Sequence, residues 1–180
     1  MEDKMSESIP AQSDSLEMDE ETYALVQELF QLVRAGDAAR LKNLLEMGLP
    51  PNLRDSQGNS LVMLASYNRN YETTRVLLEH GGDTEILNDR GQLPLAGAAF
   101  NGDTEMGRLL LAHGADADGR GADGKTALMF AAMFNRTEFI DLLLAHGADR
   151  SLQASDGMTA IDLARRMEAG DAAARLDQTN

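Results

Sequence analysis

The 180-residue chain contains no cysteine and no tryptophan, and aromatic residues make up only 4% of it. Without cysteine there are no disulfides, no thiolate zinc or iron–sulfur centres, and no thiol nucleophile. With so few rings, a core has to be assembled from Leu, Ala, Val and Met. Basic residues are scarce as well: 16 Lys and Arg stand against 30 Asp and Glu, for a formal charge of −14. A phosphate backbone requires a basic surface, so no direct nucleic-acid partner is expected. No apolar run is long enough to span a bilayer, so no membrane partner is expected either. The N-terminus lacks the basic start and apolar stretch of a secretory signal, which makes the expected location cytoplasmic.

What is present suffices for a packed fold. Hydrophobic residues are 43% and charged residues 26%, which argues against wholesale disorder. The length suits one core, or two at a stretch. Half of the net charge falls in residues 1–21, where Glu2, Asp3, Glu7, Asp14, Glu17, Asp19, Glu20 and Glu21 face Lys4 alone.

The strongest signal is self-similarity. Gly58, Gly91, Gly124 and Gly157 recur every 33 residues, and Gly48, Gly81, Gly114 and Gly147 form a second series at the same interval. The pairs Leu44-Leu45, Leu77-Leu78, Leu110-Leu111 and Leu143-Leu144 keep step with them. The first glycine of each unit lies in a turn segment such as NDRGQ or GADGK, where a positive φ is easiest without a Cβ. Helix-capping residues such as Thr126 and Thr159 follow, then apolar runs ending in small residues: VMLAS, PLAGAA, ALMFAA. A second helix closes on the Leu pair and the second glycine, which suits a left-handed position after a helix. Each unit therefore reads turn, helix, loop, helix. One unit cannot bury its apolar face alone, but a stack can.

The segment GKTALMFAAMFNRTEFIDLLLAHGAD (124–149), with this period, resembles an ankyrin repeat, and the likeness covers about residues 22–170. The resemblance implies an all-α fold: an ankyrin-repeat solenoid of about five units including caps, with turn or hairpin fingers along one edge. The family's Thr-Pro-Leu-His helix start survives in part, as Leu93-Pro94-Leu95 and Thr126-Ala127-Leu128. Its histidine is replaced by Met63, Ala96, Met129 and Asp162, which weakens the hydrogen bonding usual at that spot. The expected division is an acidic disordered tail at 1–18 and an N-terminal capping repeat at 19–54. Full repeats follow at 55–87, 88–120 and 121–153. A C-terminal cap and tail at 154–180 has only a stub of a second helix, and its outer face turns polar through Arg165, Arg166, Glu168 and Asp171.

Candidate chemistry is thin. His80, His113 and His146 also recur every 33 residues. Equivalent positions in stacked units lie roughly 8–10 Å apart, whereas zinc needs its ligand atoms about 2 Å from one centre. The three are better placed to meet the last carbonyls of their helices, so no metal is expected. There is no glycine–serine–glycine elbow. Gly119, Gly121 and Gly124 imitate part of a dinucleotide fingerprint but follow no strand, so no cofactor is expected. Asp116 and Asp118 read as solvated acids. The chain reads as a non-enzyme.

The positions that the repeat does not explain are more informative. By resemblance, the fingers and the open side of each first helix line a concave groove where partners bind. That side carries Arg34, Tyr67, Phe100, Met133 and Arg166, followed by Asn68, Asn101 and Phe134, while the finger tips include Gln57, Asn59, Arg90, Gln92 and Lys125. Aromatic, Met and Arg side chains are enriched at interface centres. We therefore expect protein binding through Arg34, Tyr67, Asn68, Arg90, Phe100, Asn101, Lys125, Met133, Phe134 and Arg166. The competing reading buries the rings in the core.

Small ankyrin proteins of this kind resemble bacterial ones, which in the family act as adaptors, inhibitors or immunity proteins. The charge points to a basic enzyme or toxin as partner, held by a monomer. The alternative is a chaperone-like assembly factor whose acidic tail shields a basic nucleic-acid-binding protein.

Overall fold

The computed structural model describes residues 20–178, and side chains from residue 24 onward. The expected acidic tail, residues 1–18, lies outside the described residues. Ten helices are present among them, joined as five antiparallel pairs. The first pair is α1 (Glu20–Ala35) and α2 (Ala38–Glu46). Next come α3 (Leu61–Tyr67) with α4 (Tyr71–Glu79), and α5 (Pro94–Asn101) with α6 (Thr104–Ala112). The last two are α7 (Ala127–Met133) with α8 (Thr137–Ala145), and α9 (Ala160–Arg166) with α10 (Gly170–Asp177). Inner helices α1, α3, α5, α7 and α9 pack in succession, and outer helices α2, α4, α6, α8 and α10 do the same. The fold is an all-α solenoid.

Helices α2, α3, α6, α7 and α9 start where the sequence supplies a side-chain cap. The hydroxyls of Ser60 and Thr126 accept from the amides of Met63 and Met129 at 3.1 and 3.4 Å. In α5 Leu93 offers no such acceptor, and Pro94 opens the helix with its preset φ. Thr159 and Asp162 satisfy each other's main-chain amides, so the residue that replaces the family's histidine completes a capping box.

The outer helices α2, α4, α6 and α8 share one ending. In α6 the amide of Gly114 donates to Leu111 and that of Ala115 to Leu110, a paired closure that requires a left-handed residue between. Gly114 has φ +93°, and open space surrounds the place where a Cβ would sit, so it is the backbone angle that calls for glycine. Between inner and outer helices another left-handed position recurs, and here glycine is not kept. Gly36 and Gly102 alternate with Arg69, Asn135 and Glu168, at φ of 60°, 54° and 57°. Glu168 also explains why the last inner helix stops at Arg166. Beyond it, α10 runs eight residues against nine in α8, so the last unit carries a nearly full second helix and not the expected stub.

The core is continuous through the stack. Leu61, Leu77, Leu110, Leu128, Ile140 and Leu143 lose essentially all contact with solvent. Phe30 and Phe139 are also buried, the latter filling space left by Gly107, where a Cβ would come within 2.7 Å of the ring. Polar ties bridge neighbouring units. The Asn70 amide donates to the carbonyls of Val33 and Arg34, and the Tyr71 hydroxyl donates to the buried Asp103 carboxylate at 3.0 Å.

The turn fingers precede α3, α5, α7 and α9 and are linked by main-chain hydrogen bonds. Asp89 donates to Gln57, Ala122 to Gly91, and Ser155 to Asp123, each between 2.9 and 3.1 Å. Arg54 and Arg120 add side-chain bonds to the carbonyls of Leu87 and Gln153. The left-handed positions supply a pair of tests. Gly114→Ala should lower stability by about 1 kcal/mol, and Glu168→Gly should raise it by a similar amount. Denaturant melts of the two variants check the signs.

Candidate functional site

Between the fingers and the inner helices lies a pocket of about 480 Å³. One wall comes from the ends of α3 and α5, the other from the fingers that precede these helices. Tyr67, Asn68 and Phe100 belong to the first wall, and Asn59, Asn88, Arg90 and Gln92 to the second, with Met63 and Ala96 also in the lining. Arg34 of α1 and Phe130 of α7 contribute from the flanking units.

The rings do not sink into the core. Tyr67 is 55% exposed and Phe100 40%. Tyr67 lies against Gly97, whose missing side chain leaves a notch: an added Cβ would stand 3.5 Å from the ring. Phe100 meets Phe134 edge to face, with centroids 4.5 Å apart, so part of each ring is covered by the other. Met133 and Phe134 are half-buried, and Met133 packs on the core.

Arginine and lysine differ in what already holds them. Arg34 donates to the Asp55 carboxylate at 2.7 Å. Lys125 is drawn to Asp123 at 2.6 Å within its own finger. Arg166 is exposed, with its guanidinium 3.4 Å from the Met158 sulfur. Arg90 is exposed and forms no ion pair among the described residues. Of the ten expected binding residues, Arg34, Tyr67, Asn68, Arg90 and Phe100 share the pocket, and Phe134 adjoins it through Phe100. Asn101, Lys125, Met133 and Arg166 lie outside the lining. Asn68 donates its amide to Leu64 at 2.7 Å, so that nitrogen ends a helix.

Asn88, Gly97 and Phe130 line the pocket and were missed. The available signal was Gly97 itself, a helix residue without a side chain where Leu64 and Phe130 stand 33 residues to either side. Asn88 is nearly buried and saturated. It donates to Asn59 and Gln92 side chains and accepts from the amides of Arg90 and Gln92, which holds two fingers in register.

Asp55 anchors the first finger in the same way. Burial works to raise its pKa, but amide hydrogens from Gln57 and Asn59, with the Arg34 guanidinium, outweigh that and hold it below the ordinary carboxylate value. Elsewhere, His80, His113 and His146 place Nδ1 at 2.7, 2.9 and 2.9 Å from carbonyls one turn back. A carbonyl only accepts, so each Nδ1 carries the hydrogen, and the three rings serve as helix ends. Among the described residues, no three potential ligands converge on a metal position, and no helix is long and apolar enough to cross a membrane.

A stack of helix pairs with an open, ring-lined groove is a protein-binding scaffold. The profile of the family described as ankyrin repeats (3 copies) matches residues 29–120 and again 98–176, and the chain belongs to that family. It is also 52% identical over 60 residues to an ankyrin repeat protein of Pseudomonas aeruginosa. That match covers 33% of this chain and 35% of the relative, so the chain spans about a third of that protein's length.

The Asp55 contacts generate a pH test. A carboxylate whose pKa is depressed on folding stabilises above its unfolded value, and the contribution is lost as pH falls through the folded one. Asp55→Asn should melt below the wild type at neutral pH, and the gap should close below about pH 4. Thermal melts across that range check it; a gap that persisted in acid would leave the charge without a role.

Proposed function

We propose that the chain is a cytoplasmic, monomeric module that holds one protein partner in its groove, as inhibitor, immunity protein or adaptor for a basic enzyme or toxin. The observation that carries this reading is the exposure of Tyr67 and Phe100 side by side in a pocket. Burying those rings in the core would remove apolar surface from water, so their exposure in a ring-poor chain favours use. Tyr67, Phe100 and Arg90 form the centre of the proposed contact. Arg34, Asn68 and Phe134 border it, and Asn101, Lys125, Met133 and Arg166 extend it along the stack.

The acid excess supports a basic partner. Asp89, Asp123 and Asp156 are exposed on successive fingers, and the formal charge is −14. Such a field speeds the encounter with a cationic surface more than it tightens the final complex.

Tyr67→Ala or Phe100→Ala should weaken partner binding by about 2 kcal/mol each while leaving the melting temperature nearly unchanged. Calorimetric titration beside thermal melts separates the outcomes: a collapsed melt with intact affinity would return the rings to the core. The association rate should also fall steeply between low and physiological salt, as stopped-flow mixing would read.

A further inference from the structure

The pocket carries the opposite charge pattern to the chain around it. No carboxylate lines it, and its charged lining groups are Arg34 and Arg90. Arg34 is engaged by Asp55. The finger acid that precedes Arg90 in sequence, Asp89, lies 3.6 Å from Arg54. Arg90 is therefore the cation left with its charge free at the pocket. Beside it, Gln92 uses its Oε1 to accept from Asn88, while its amide nitrogen donates to no group among the described residues. Facing these two donors stand the exposed rings of Tyr67 and Phe100. A guanidinium and an amide donor on one side, with a ring wall on the other, match a carboxylate attached to an apolar group. A volume of about 480 Å³ admits a few side chains of an extended loop and excludes a packed helix pair.

We propose that this pocket receives an acidic anchor: an Asp or Glu of the protein partner, next to an aromatic or large aliphatic residue in an extended loop. The carboxylate pairs with Arg90 and the apolar neighbour lies on Tyr67 and Phe100. The inference rests on the groove being the binding face. It also gives the charge pattern a second use. A partner that is basic over its broad surface is attracted anywhere along the acidic fingers, which by itself sets no register. One acid paired with Arg90 favours a single alignment, because a shift that sets it against the acidic finger tips opposes like charges.

The test is selection of random dodecapeptides displayed on phage against the immobilised full-length protein, followed by titration of the selected synthetic peptides. Wild type, Arg90→Glu, Arg90→Lys and the Tyr67→Ala/Phe100→Ala double variant are compared, with circular dichroism melts confirming that each is folded. Wild type should enrich peptides in which Asp or Glu lies within about three residues of a ring or a large aliphatic residue. Arg90→Glu should weaken them at least about tenfold, and Arg90→Lys much less. Changing the peptide acid to Lys should restore binding to Arg90→Glu. Peptides with a basic core, peptides that bind wild type and Arg90→Glu alike, or the absence of any enriched pattern would overturn the proposal. Peptides that need the two rings but ignore Arg90 would sink only the acidic anchor. Peptides indifferent to the rings would remove the groove reading as well.

Discussion

Close approach of the inner helices is the constraint on which the rest of the molecule depends. Ala65, Ala98, Ala131 and Ala164 occupy one position at 33-residue intervals, and all four are buried. A larger side chain there would force the helices apart, since packed helices tolerate little added volume. Two residues on, about 200° round the helix, come Tyr67, Phe100, Met133 and Arg166. The same contact that seals the stack therefore turns these side chains to the open side. Groove and core are two faces of one register.

Electrostatics works at two ranges. The acid excess spreads over exposed finger tips and outer loops, where water and salt screen it. Outside the pocket lining, Asp55 is satisfied by Arg34, Gln57 and Asn59, and no carboxylate lines the pocket itself. Asn88 adds a neutral link between two fingers. Several of the polar groups that build the pocket are thus occupied in building it, and what remains for a partner includes two ring faces, the Tyr67 hydroxyl, the Arg90 guanidinium and the amide nitrogens of Gln57 and Gln92.

The period, the two helices per unit, the finger turns and the outer-helix endings were all legible in the sequence, because each rests on a residue type with a local physical requirement. Positions governed by contacts between units were not. Arg69, Asn135 and Glu168 hold left-handed conformations that glycine holds at 36 and 102, and of these only Asn135 is a residue type that favours that region. Phe134 and Phe100 are neighbours only because stacking sets the end of α7 beside the end of α5. Lys125 looked available and is tied within its own turn, whereas Arg90 occupies a similar tip and has no such tie. The last helix, expected to be a stub, carries the weakly apolar run Ala172, Ala173 and Ala174. Yet Ala172 and Leu176 are enough to cover the end of the stack, helped by the Ala172 amide donating to Asn135.

The hydrogen bonds running from finger to finger carry a mechanical consequence. Hairpins that were free of one another would yield singly to whatever pressed on them, each at the cost of its own few contacts. Here Gln57, Asp89, Gly91, Ala122, Asp123 and Ser155 form a relay of donors and acceptors, so the tips behave as one beam. Tilting a single tip means straining or breaking the bonds to its neighbours, and the load spreads toward both ends. A ligand seated at one point of such a rail is held by the stiffness of its whole length.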